Sequence, residues 1–140
     1  MRYVYETTGL KRYRFPTHVN DLVVDRSECA ASEVFVVVLQ PGEAPPLHKH
    51  DDTEQVYYVL NGEGVLSVGE NGEKHPVMAG QVVVVPPATP HSIQATGGPL
   101  SYLAVDSFVS PEAKEEATWD EHVRAVCKQQ GWDYGSVVES

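Results

Sequence analysis

Hydrophobic positions in this chain fall into short runs separated by glycine, proline and acidic residues, and no run has helical length until about residue 110. Glu33 to Gln40 (EVFVVVLQ) is β-branched and nearly continuous in apolarity, which predicts a strand buried on both faces. Gln55 to Leu60, Gly64 to Val68, His75 to Met78, Gln81 to Val85, His91 to Ala95 and Leu100 to Phe108 read as further strands between turn residues. Asn71-Gly72 predicts a tight hairpin. Upstream, Leu22 to Val24 is a short strand ended by Asp25-Arg26-Ser27, and Tyr3-Val4-Tyr5 and Tyr13-Arg14-Phe15 are candidate strands. Pro45-Pro46 and the segment 86–90 (PPATP) are stiff connectors, because proline cannot donate to a sheet ladder.

The pattern changes at Ser110, a predicted N-cap with Pro111 behind it. Thr118-Trp119-Asp120-Glu121 is a capping box; Val123, Val126, Cys127 and Gln130 form one helical stripe, and Gly131 is a stop. The expectation is one all-β domain over 1–140, with a barrel-like core at 34–108, an N-terminal arm at 1–33 and a C-terminal helix within 111–131. Trp119 and Trp132 are expected packing anchors, and 133–140 a loose tail.

Composition narrows the partners. The formal net charge of −10 argues against nucleic acid or an anionic membrane surface. The first residues (MRYVYETTGL) lack the apolar core of a signal peptide, and no apolar run approaches the ~20 residues of a membrane span. Cys29 and Cys127 have no metal or redox spacing, so two free thiols in a reducing cytosol are expected, and with them a cytoplasmic protein.

Candidate chemistry lies in the stretch 42–62 (GEAPPLHKHDDTEQVYYVLNG). In extended backbone His48 and His50 point to one face and Lys49 to the other, and two convergent imidazoles suit a transition metal. His91 follows the second proline-marked stretch, 80–90. His18, His75 and His122 read as surface or packing residues outside any site.

Gly42, His48-x-His50, an acidic bend, Gln55 and Gly62, followed by Gly80, Pro86-x-Ala88 and His91, together resemble the two-part signature of the cupins. These are small jelly-roll barrels, also described as an RmlC-like double-stranded β-helix. The resemblance covers about 34–108 and implies an all-β barrel with a C-terminal α-helix. It also implies metal ligation by His48, His50 and His91, with the family's fourth ligand, a Glu, falling on Gln55. Glu54 is one residue early, and a one-residue slip reverses every side chain, though a bulge at 51–53 would bring Glu54 inward. Four neutral ligands leave the charge of Ni, Mn, Fe, Zn, Co or Cu uncompensated and hold it less tightly than a set containing Glu.

The His-His-Gln-His set is similar to that of the cupins of pectin degradation that linearise unsaturated uronates. That likeness carries over an Asp-x-Phe pair, here Asp106 and Phe108, with Asp106 as general acid/base or as a structural strand-end group. The Arg that follows the pair in those proteins is absent, and Lys114 is the nearest cation, which weighs against a uronate. Tyr57 shares the ligand face with Gln55 and either lines the pocket or fills the barrel with its OH bonded; Tyr102 shares a face with Asp106 and Phe108, and both of those rings are expected to line the pocket. The implied function is metal-assisted chemistry on a small oxygenated substrate such as a sugar or keto acid, of isomerase, lyase or dioxygenase type. The alternative is a non-catalytic module that binds or senses a small molecule. A homodimer is expected to cover the apolar outer face of the strand at 34–39, with help from the N-terminal segment.

Overall fold

The computed structural model describes residues 2–138. Nine strands follow in order: β1 (Lys11–Arg14), β2 (Val19–Val24), β3 (Ser32–Leu39), β4 (Thr53–Asn61), β5 (Glu63–Val68), β6 (Glu73–Met78), β7 (Val82–Val85), β8 (His91–Ala95) and β9 (Leu100–Phe108). They form two antiparallel sheets, ordered β1-β2-β3-β9-β4-β7 and β6-β5-β8. Crossovers bring distant segments together, as when β9 enters between β3 and β4. This is a jelly roll, and the strands predicted from 33 to 108 are all present.

The sheet's inward side chains line up in rungs. One reads Glu33, Asp106, Gln55, Val85; the next Leu22, Phe35, Ala104, Tyr57, Val83; the third Tyr13, Asn20, Val37, Tyr102, Val59. The apolar members make the core, and the first rung inserts three polar side chains into it. At the turn after β4, Gly62 has φ +87°, and a Cβ there would run into the Pro99 carbonyl, so glycine is required.

Helix α1 (Trp119–Gln130) begins where the capping box predicts, with Thr118 Oγ1 accepting from the Glu121 N–H at 3.2 Å. It ends at Gly131, which is left-handed. Trp119, Val123 and Cys127 form its buried stripe, and Gln130 is exposed rather than part of it. Trp119 packs on Tyr13 and Phe35, ring centroids 6.2 and 4.8 Å away, so α1 covers the inward face of β1–β3. A 3-10 turn, Pro111–Lys114, precedes it.

Several expectations change. Tyr3-Val4-Tyr5 forms no strand, and Tyr3 and Val4 are exposed. The segment after Asp133 is not loose up to Val138: Asp133 caps a short helix α2 (Tyr134–Val137), Val137 is buried, and Val138 bridges Tyr13. Residues 139–140 lie outside the described residues. The hairpin between β5 and β6 uses four residues, with both Gly69 and Gly72 at positive φ. The N-terminal segment supplies two strands to its own sheet, and Arg12 there forks onto Asp21 at 2.7 and 2.9 Å. On the outer face of β3, Val36 is buried and Val34 and Val38 are half-buried; exposed apolar side chains stand instead on β4 and β7, at Tyr58, Val82 and Val84.

Candidate metal centre

The segment 42–50 runs beside β8. Gly42 N–H donates to Ala95 O at 3.0 Å, and His48 and His91 exchange backbone hydrogen bonds of 3.3 and 2.9 Å. His50 O accepts from the Ala88 N–H at 2.7 Å, which fixes the proline connector with Ala88 in the left-handed region at φ 59°. The two histidine-bearing stretches, more than forty residues apart in sequence, are thus held together by main chain.

The three imidazoles are neighbours, with ring centroids 4.3 Å apart for His48–His91, 5.0 Å for His48–His50 and 6.3 Å for His50–His91. His48 Nδ1 lies 2.7 Å from Pro46 O and His91 Nδ1 2.9 Å from Thr89 O. A carbonyl can only accept, so each Nδ1 carries the proton and each Nε2 presents a lone pair. His91 Nε2 is buried with no hydrogen-bond partner. Burial is also the first cause that depresses all three rings: His48 falls below its ordinary value, His50 to about 3, and His91 to about 4. Neutral imidazoles, two of them with fixed tautomers, and an orphaned buried nitrogen fit a divalent transition metal. Among the described residues, the His, Cys, Asp and Glu side chains do not close into a cage of three or more; the rings stand side by side. The donor chemistry fits, and the donor atoms are not gathered around a point.

Gln55 faces inward and is buried, whereas Glu54 is exposed, so β4 has no bulge that turns Glu54 in. The Gln55 amide is the middle of a chain. Its Oε1 accepts from Tyr57 OH at 2.6 Å and its Nε2 donates to Asp106 Oδ1 at 2.7 Å. One lone pair of Oε1 remains for another partner. Tyr57 and Tyr102 line the cavity beside Gln55, as does Phe108.

Two residues with no place in the sequence-based site complete the chain. Glu33 is fully buried and flanks Asp106 across the β3–β9 pair, while Arg26 forks onto Glu33 at 2.8 and 3.0 Å. Burial, then the neighbouring Glu33 carboxyl, push Asp106 well above the usual carboxylate range; the Gln55 amide and Arg26 pull it back. Arg26 also lies 5.0 Å from the Phe108 ring centroid. A buried arginine thus does stand beside the Asp-x-Phe pair, delivered from the turn after β2. It is not free to clamp a substrate: its third nitrogen donates to Lys114 O at 2.6 Å. Lys114 in turn donates to the carbonyls of Arg26 and Cys29.

A cavity of about 580 Å³ opens in front of His48 and His50. His18 and His122 line it too, so the fold brings both beside the candidate site. His18 lies two residues before Asn20, on the inward parity of β2, which is the signal that could have placed it. Lys49 is exposed at the rim, and His75 is exposed beside Glu73. Cys29 and Cys127 are unpaired.

Two antiparallel sheets, with a histidine pair in the connector before β4 and a third histidine at the start of β8, define a cupin. The cupin domain (Cupin_2) family matches residues 35–106, and the chain belongs to that family. It is 43% identical over 68 residues to the oxalate-binding protein of Thermotoga maritima, covering 48% of this chain and 54% of that protein. It is 26% identical over 96 residues to the 3-hydroxyanthranilate 3,4-dioxygenase of Xanthomonas campestris, covering 66% of this chain and 54% of that enzyme. The chain therefore spans about half the length of these curated relatives. The crystal structure of a protein described as a predicted oxalate decarboxylase from Thermotoga maritima superposes with a TM-score of 0.69 at 28% identity, covering 76% of this chain and 99% of that one. No helix among the described residues is long and apolar enough to cross a membrane.

Proposed function

We propose that this cupin holds one divalent transition metal on His48, His50 and His91, with Gln55 Oε1 as fourth donor, and acts on a small oxygenated molecule in the adjoining cavity. One observation carries the reading: the buried, unpartnered Nε2 of His91, on a ring whose other nitrogen is tied to Thr89 O and which packs against His48. A buried polar atom without a partner is costly, and here a metal is the partner that its chemistry suits. When bound, the metal supplies Lewis-acid polarisation of a carbonyl or hydroxyl oxygen. The chain's own residues do the rest. Asp106, its carboxyl pushed well above the usual range by burial and by the neighbouring Glu33, would give or take a proton at the ligand. Tyr57 orients the Gln55 amide, and the surrounding core excludes water.

The relative named for binding oxalate favours a second reading, a module that binds without turnover. So does the enclosure of Asp106 between Gln55 and Glu33. The experiment is a turnover screen of metal-loaded protein on hydroxy-acid, keto-acid and sugar substrates, with Asp106→Asn in parallel. Turnover that falls about 100-fold or more in the variant supports the enzyme; binding without turnover in both proteins supports the module. The exposed Tyr58, Val82 and Val84 support a homodimer through β4 and β7, and two unpaired thiols are in keeping with a cytoplasmic protein.

A further inference from the structure

We propose that Asp106 is the positioning residue that decides which end of the Gln55 amide is offered to the metal. The inference rests on the metal site proposed above and concerns how this chain holds its fourth donor. An amide has nearly the same shape either way round, and only its oxygen suits a metal cation. Gln55 is 4% exposed, so buried neighbours and not water choose its orientation. Its Nε2 donates to Asp106 Oδ1 at 2.7 Å, and its Oε1 accepts from Tyr57 OH at 2.6 Å. The oxygen is thus on the side of Tyr57, whose ring centroid is 6.3 Å from that of His91, and the nitrogen on the side of Asp106.

A hydroxyl can donate or accept, so Tyr57 would tolerate the amide turned round; Asp106 would not. In the sheet, Asp106 on β9 stands between Gln55 on β4 and Glu33 on β3. Both Glu33 oxygens accept from Arg26, at 2.8 and 3.0 Å. Glu33 is thereby held as an acceptor toward Asp106, and a proton on Asp106 belongs on the oxygen beside Glu33. Oδ1 is then an acceptor whether Asp106 is ionised or neutral, and it takes only the N–H end of Gln55. The reverse orientation would set two acceptors, Oε1 and Oδ1, against each other in a buried site. Arg26 is itself anchored to Lys114 O at 2.6 Å, so the chain of contacts that orients the donor ends on main chain.

The test loads the full-length protein with Co²⁺, whose visible absorption reports its donors, and follows binding by calorimetry. The proteins compared are wild type, Asp106→Asn, Asp106→Leu, Gln55→Ala and the double variant Asp106→Leu/Gln55→Ala. In Asp106→Asn the side-chain oxygen still accepts from Gln55 while the new N–H donates to Glu33, so Co²⁺ affinity should stay within about threefold of wild type, with the same spectrum. Asp106→Leu should weaken Co²⁺ by about tenfold and alter the spectrum at saturation. It should add no loss to Gln55→Ala, because its effect runs through Gln55. Asp106→Ala takes the place of Asp106→Leu if circular dichroism shows the leucine variant unfolded. Wild-type affinity in Asp106→Leu, a loss in Asp106→Asn equal to that in Asp106→Leu, or a loss additive with that of Gln55→Ala would overturn the positioning role. No Co²⁺ uptake by wild type would sink the metal site and this role together, an outcome told apart by stoichiometry rather than affinity.

Discussion

Replacing Arg26 by Met probes the least expected feature of this core. The side chain is 2% exposed and makes a two-pronged contact of 2.8 and 3.0 Å with Glu33, which is 0% exposed. Asp106, raised toward its neutral form, stands next to Glu33, so Arg26 is the positive charge that compensates the Glu33 carboxylate. Met fills similar volume and leaves Glu33 uncompensated. Removing one partner of a buried pair costs about 3–5 kcal/mol, because the other charge stays out of water. The lost bond from Arg26 to the Lys114 carbonyl adds to this by loosening the 111–116 segment. For a chain of this length the loss lowers Tm by roughly 10–20 °C. Urea unfolding of metal-free protein, followed by tryptophan fluorescence, measures it. The double variant Arg26→Met/Glu33→Gln closes a cycle in which the two effects should fall short of additivity by about 2 kcal/mol or more. A loss under about 1 kcal/mol for Arg26→Met, or strict additivity, would refute the claim that the pair is coupled and buried in solution.

Three further outcomes follow from the same geometry. His18 and His50 are depressed to about 3 and His91 to about 4, so between those values and 6.5 the unfolded chain holds more protons than the folded one; metal-free protein should lose stability as pH falls from 6.5 toward 4. Asp106, raised, opposes this with a contribution fully present below its unfolded value of 3.8 and lost as pH rises toward its raised folded value; three imidazoles outweigh one carboxyl, and a urea midpoint that is flat or rising on acidification contradicts the balance. Gln55→Ala should weaken Mn²⁺ or Ni²⁺ binding by about 10- to 100-fold, whereas Glu54→Ala, on the exposed face, should leave it unchanged; calorimetry showing the reverse would mean that the register of β4 is wrong. Val84→Lys, at a site 57% exposed on an edge strand, should convert a dimer to monomer in sedimentation velocity without changing metal affinity, and a wild type that is monomeric at all concentrations removes the interface.

Local pattern made part of this molecule legible and left the rest dark. The strands from 33 to 108, the capping box at Thr118 and the stop at Gly131 follow from periodicity and turn chemistry, which act over a few residues. The inward parity of Gln55 and the exposure of Glu54 follow from counting along one strand. The pairing of Arg26 with Glu33 and the rings on which Trp119 packs could not be read this way, because they depend on which strands pair. β9 inserts between β3 and β4, and α1 folds back over β1 to β3; no spacing encodes either event. Glu33 was within reach: a charged residue sharing the inward face of Phe35, Val37 and Leu39 is an anomaly on an apolar strand and asks for a partner. His18 and His122 read locally as lone histidines, and the fold brings both to the cavity.

The central claim is that three imidazoles and Gln55 form a metal site. Elemental analysis of the purified protein after metal loading and desalting, run on the wild type and on His91→Ala, tests it most directly. The account predicts close to one transition-metal ion per wild-type chain and near-complete loss in His91→Ala. A wild type that retains no Ni, Mn, Fe, Zn, Co or Cu, or a His91→Ala protein that retains as much as wild type, would contradict it.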